Sequence, residues 1–156
     1  MVRLILMLAM TALIGACAYH PDIRRERLET LSERYSQFDL VLAWETRVVE
    51  KDTLVEGVVK NVRFHSMTDL EIWVAVLDPA GKVAARAVSF VIPQQLSMDE
   101  TAEFSLKLPI AVHAGTKLRF TYKYRGHEGG DGGLFGGGSS GGIDWMQSFE
   151  TVVPAQ

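Results

Sequence analysis

The sequence predicts a mainly β chain: a single immunoglobulin-like β-sandwich of about seven strands, preceded by a short apolar segment and one short amphipathic helix. Three observations carry this expectation. Hydrophobic spacing changes near residue 38 from steps of three and four to strict alternation. From there, short runs rich in β-branched and aromatic residues recur about every ten residues, and turn chemistry separates them. A small barrel satisfies the same spacing and is the alternative architecture.

The first seventeen residues read MVRLILMLAMTALIGAC. Arg3 supplies a positive start, and Leu4 to Ile14 form an apolar stretch that is too short to cross an apolar layer of about 30 Å as a helix. The segment ends in Leu13-Ile14-Gly15-Ala16-Cys17, which resembles the lipobox of bacterial lipoproteins, with an aliphatic residue three before the cysteine and small residues flanking the cut. The resemblance implies that residues 1–16 are a signal peptide and that Cys17 becomes a diacylglyceryl-bearing N-terminus. Two or more acyl chains, at about 0.8 kcal/mol per buried methylene, hold a protein to a bilayer. The expected partner of this end of the chain is therefore a membrane, and the expected location is the cell envelope, periplasm-facing. Ala18, where an aspartate resembles an inner-membrane retention signal, points to the outer membrane. An ordinary secretory signal cut near Ala16 or Ala18 is the competing reading.

Residues 17–37 make the lipidated N-terminus, a linker and the helix. From Pro21 to about Ser36, the residues Ile23, Leu28, Leu31 and Tyr35, with Phe38 beyond, sit at helical spacing. Pro21 suits a first helical turn, and Asp22 places negative charge at the positive end of the dipole. Arg24, Arg25 and Arg27 could meet anionic headgroups close to the anchor. Because Glu26, Glu29 and Glu33 interleave with them, a salt-bridged solvated face is the preferred reading.

Residues 38–156 are expected to form the sandwich domain. Strands are predicted at about Phe38 to Glu50, Thr53 to Val62, Leu70 to Asp78, Val83 to Ile92, Thr101 to Leu108, Lys117 to Arg125 and Asp144 to Val153. Two of them alternate cleanly, which sends Ala102, Phe104, Leu106 and Leu108 inward, and likewise Leu118, Phe120, Tyr122 and Tyr124. Asp78-Pro79-Ala80-Gly81 and Ser97-Met98-Asp99-Glu100 supply turns.

Within this body, Gly57 and Asn61 in the pattern G-x-V-x-N are followed by an apolar strand that closes on Asp78, with Gly81 beyond. The stretch resembles the FxLYD domains associated with small lipoproteins and, more loosely, the type 2 late-embryogenesis-abundant sandwiches. The resemblance covers roughly residues 53 to 125 and implies a fold rather than an active site. Val74, Val76 and Leu77 stand where the signature Phe, Leu and Tyr would be, and only Asp78 is identical.

Composition limits the function. The chain has 156 residues, of which 47% are apolar and 22% charged, as in an average globular domain. The formal charge is −3, and −4 once Arg3 is removed with residues 1–16, which argues against nucleic acid as a partner. Cys17 is the single cysteine, so no intramolecular disulfide forms. No G-x-S-x-G or H-E-x-x-H signature appears, and His20, His65, His113 and His127 lack zinc-ligand spacing. Neither a catalytic set, a metal site nor a cofactor is expected.

The Gly-rich stretch 126–142, GHEGGDGGLFGGGSSGG, lacks the Lys-Ser/Thr pair of a phosphate loop and the repeated aspartates of a calcium turn. It reads as a flexible loop of a hairpin between the last two strands. Leu134 and Phe135 on that loop are candidate apolar contacts, and Trp145 beyond it is a candidate ligand contact. Lys117, Arg119, Lys123 and Arg125 form an outward basic row able to meet headgroups, an anionic glycan or an acidic protein, although outward charges on a strand are ordinary. Trp44, Trp73 and Trp145 are expected to pack in or against the core. The function expected from these features is that of a non-enzymatic, membrane-tethered adaptor or binding module for another envelope component; the competing class is a small-ligand or glycan-binding protein that uses the Gly-rich loop.

Overall fold

Alternation in the long strands sends one side-chain set of each inward, and two sheets bury these sets against each other in the computed structural model, which describes residues 23–129 and 141–155. The order of elements is α1 (Ile23–Thr30), β1 (Glu33–Ser36), β2 (Leu40–Val49), β3 (Asp52–Asn61), β4 (Ser66–Leu77), β5 (Val83–Phe90), β6 (Gln95–Ser97), β7 (Thr101–Leu108), β8 (Lys117–His127) and β9 (Ile143–Val152). The first sheet runs β1-β2-β3-β7. The second runs β5-β4-β8-β9, with β6 also on β4. All of these pairings are antiparallel. All seven expected strands are present, and the two additional ones, β1 and β6, are short.

The core lies between the sheets. Leu40, Leu42 and Trp44 of β2 and Phe104, Leu106 and Leu108 of β7 face Ile72, Val74 and Val76 of β4 and Leu118, Phe120, Tyr122 and Tyr124 of β8. Both inward sets read from the sequence are buried.

One expectation is corrected. The helix stops at Thr30, and residues 33–36 of the predicted helix form β1. Arg34 ends the helix by donating from Nη2 to the carbonyls of Leu28 and Glu29, each at 2.9 Å. Tyr35 then turns inward from β1 and stacks on Phe149 of β9, with centroids 3.6 Å apart, closing the side of the sandwich. This long-range contact prevails over the local spacing that also fits a helix.

The helix lies over the outer face of the four-stranded sheet, where Leu28 and Leu31 pack on Val41, Ala43 and Val58. Its arginines turn the same way. Arg27 reaches Glu103 at 3.1 Å and Glu45 at 3.7 Å, and Arg24 reaches the Thr101 carbonyl at 3.5 Å. Arg27 thus pairs with carboxylates of the underlying sheet, whereas the interleaved sequence pointed to Glu26, Glu29 and Glu33 of the helix itself. No helix among the described residues is long and apolar enough to cross a membrane.

Candidate functional site

With α1 over one sheet, no described element covers the outer face of the other. Register fixes what it displays, because paired residues share a face. One row across the sheet is Val88, Trp73, Thr121 and Ser148. On one side of it lies the row Phe90, Glu71, Lys123 and Met146, and on the other Arg86, Ala75, Arg119 and Glu150. Small residues, Ala75 and Thr121, fall between large ones, and the result is a groove of about 440 Å³. Trp73, Arg86, Arg119, Lys123 and Met146 stand around it.

Trp73 is the fixed element of this groove. It lies between inward Ile72 and Val74, so strand alternation sends it outward, where it is partly exposed. Its Nε1 donates to Glu71 Oε2 at 2.9 Å, which sets the ring orientation. The Arg86 guanidinium lies over the ring at 5.8 Å from the centroid. That is close to the outer limit of about 6 Å for a cation–π contact, and an exposed pair of this kind is worth about 0.5 kcal/mol. Little holds Arg86 there, and among the described residues it has no carboxylate partner. Placing Trp73 on the open face corrects the expectation that all three tryptophans pack with the core. Trp44 does so, buried against Phe120 and Phe149.

The basic row lies on this face, and most of it is paired. Arg119 donates to Glu150 from Nε at 3.1 Å and from Nη2 at 2.8 Å. Arg125 grips both oxygens of Asp144, at 2.9 and 3.1 Å. This contact holds the Asp144 carboxyl below the usual carboxylate range and raises Arg125. Lys123 is only loosely held, 3.9 Å from Glu71, and Lys117 has no charged partner among the described residues. The row is therefore largely neutralised, and the available positive charge lies with Arg86, Lys117 and Lys123.

The structure does not bring the other candidates to this groove. Trp145 leans toward the core and meets the Phe38 ring edge-on at 5.3 Å. Its Nε1 is buried with no partner among the described residues. Leu134, Phe135 and Cys17 lie outside the described residues, as does most of the Gly-rich stretch; the strands that flank it, β8 and β9, do pair as a hairpin. Among the described residues no group of three or more His, Cys, Asp or Glu converges.

The G-x-V-x-N residues have structural work. A Cβ on Gly57 would meet the Ala43 carbonyl oxygen at 2.3 Å and the Phe104 ring at 2.6 Å. Asn61 is fully buried. It donates to the carbonyls of Phe64 at 2.8 Å and Leu96 at 2.9 Å, and accepts from the amides of Arg63 and Phe64. Asp78 accepts from the amides of Gly81 and Lys82 at the hairpin turn, where Gly81 takes a φ of 78°.

No family model and no curated protein matches this sequence. Among solved structures, the chain is similar to the GAE domain of GGA2p from Saccharomyces cerevisiae, with a TM-score of 0.51 at 11% identity over 80% of this chain and 98% of that one. The shared fold is an immunoglobulin-like β-sandwich. Weaker likenesses are to the ApaA protein from Bordetella pertussis, with a TM-score of 0.47 at 18% identity over 80% and 97%, and to a DUF4426 family protein from Pseudomonas aeruginosa, with a TM-score of 0.39 at 12% identity over 80% and 99%. At these identities the likeness concerns fold alone.

Proposed function

We propose that this protein is a non-enzymatic lipoprotein of the cell envelope, anchored through Cys17 to the periplasmic side of a membrane, the outer one given Ala18 after the cysteine, with its sandwich serving as a binding module. The observation that carries the binding role is the open groove around Trp73, opposite the sheet that α1 covers. The tether rests on the lipobox-like Leu13 to Cys17. FxLYD kinship is part of the proposal, supported by the structural duties of Gly57, Asn61 and Asp78.

A competing reading keeps a glycan or small ligand but places it at the Gly-rich loop and Trp145. The Phe38 contact of Trp145 counts against it, since that ring is engaged in packing.

The test is intact-mass analysis of the chain cross-linked in, and purified from, the membranes of a lipoprotein-processing host. Expected are loss of residues 1–16, a diacylglyceryl adduct on Cys17 that Cys17→Ser lacks, and a further cross-linked adduct that a groove-filling Thr121→Trp chain lacks. An unlipidated soluble product contradicts the tether. Adducts unchanged by Thr121→Trp contradict the groove.

A further inference from the structure

Resting on the binding-module reading above, we infer that the Trp73 groove is a site for an acidic saccharide. A partly exposed indole held in place by Glu71 offers a flat apolar surface of the kind that receives the C–H face of a pyranose ring. Small Ala75 and Thr121 leave room beside it, in a groove of about 440 Å³ that accommodates one or two sugar rings.

The polar groups around the indole favour a ligand that carries both hydroxyls and a negative charge. Glu71 and Thr121 supply acceptors for hydroxyls, and Arg86 and Lys123 supply donors. Arg86 lacks a carboxylate partner among the described residues and lies loosely over the indole. A ring arriving on Trp73 displaces its guanidinium sideways, where it can grip a carboxylate or sulfate in two-pronged fashion. Lys123, 3.9 Å from Glu71, can turn to the same group.

Two other occupants fit less well. An extended peptide that adds to a sheet needs free backbone amides. Here β4 is paired on both sides by β5, β6 and β8, and β8 by β4 and β9, so the floor offers side chains only. An anionic membrane surface would face Glu71, Glu150 and Asp144 on the same side of the sheet.

The experiment is an NMR titration of the full-length chain in neutral detergent micelles, following the three tryptophan indole N–H signals, with Trp73→Phe identifying that of Trp73. The probes are α-1,4-linked trigalacturonate, sialyllactose and a chondroitin sulfate tetrasaccharide, against maltotriose, triglutamate and anionic vesicles. At least one acidic saccharide should shift the Trp73 signal and leave those of Trp44 and Trp145 in place. Arg86→Gln should weaken that binding about tenfold without unfolding the chain, and Trp73→Ala should abolish it. The inference is overturned if no acidic saccharide shifts Trp73, if maltotriose binds as well, or if triglutamate or vesicles bind in preference. Cross-linking to an envelope protein through the groove, with no saccharide response, leaves the module reading standing and removes this one. A saccharide response from a chain that proves unlipidated does the reverse for the tether.

Discussion

The Tyr124 hydroxyl donates a 2.6 Å hydrogen bond to Asp39 Oδ2 in the middle of the sandwich. Asp39 precedes β2 in one sheet, Tyr124 belongs to β8 in the other, and both are buried. Tyr122 adds a bond to Oδ1 at 3.3 Å, and the Leu40 amide adds one at 3.0 Å. The two sheets are thus pinned by a polar cluster set into an apolar core. Burial raises both tyrosine pKa values above the usual phenol range, and the nearby Asp39 adds to the effect.

Removing the acceptor should cost more than removing one donor. Asp39→Ala leaves two buried hydroxyls unpaired and is expected to lower stability by about 2–4 kcal/mol, against about 1–3 for Tyr124→Phe. Urea denaturation of the three chains measures both, and equal stabilities would contradict the pin.

The same cluster sets an alkaline limit. Tyr122 and Tyr124 hold their protons more tightly folded than unfolded, so their contribution is intact below pH about 10 and declines as pH rises further, by up to about 2.7 kcal/mol per pH unit for the pair. Phenolate absorbance, compared with that of Tyr122→Phe and Tyr124→Phe chains, should show these two hydroxyls ionising only as the chain unfolds. Ionisation of Tyr122 and Tyr124 before unfolding would contradict it.

Gly57→Ala forces a methyl into the Ala43 carbonyl, which is backbone and cannot step aside, so a loss of about 1–3 kcal/mol or more is expected. Asn61→Ala strands the Phe64 and Leu96 carbonyls and should cost about 2–4 kcal/mol. Thermal melts check both. Any fraction that stays folded should keep its groove ligand, because neither residue lies at the groove.

Much of this architecture was legible in the residues. Thr101–Leu108 forms the strand its alternation predicts, and the other strands fall within a few residues of theirs, because turn chemistry at Asp78 to Gly81 and Ser97 to Glu100 interrupts them. The short β1 was not legible, since Glu33 to Ser36 gains its conformation from pairing with β2 and from Tyr35 meeting Phe149, far along the chain. Trp73 was hidden for another reason. Its strand reads Ile72-Trp73-Val74-Ala75-Val76, apolar on both faces, so parity alone does not say which face is covered. The outward basic row was readable, but its partners Glu71, Asp144 and Glu150 depend on cross-strand register.

The helix should report as a separate, weaker layer. Leu28→Ala removes the main contact of α1 with Ala43 and Val58 and is expected to cost about 2 kcal/mol, at the low end for a buried leucine because the cluster is small. Hydrogen exchange should quicken across Ile23–Thr30 and stay slow in β4 and β8. Uniform acceleration would show the helix to be part of the main core instead.

The central claim is that the sheet face left open by α1 is the face that binds. Photo-crosslinking in the producing cell tests it most directly, from a reactive residue at exposed Ser148 on that face or at exposed Ser105 on the helix-covered sheet. Adducts from Ser148 that diminish with Trp73→Ala, and none from Ser105, are the predicted result; adducts from Ser105 alone, or from Ser148 regardless of Trp73, would contradict it.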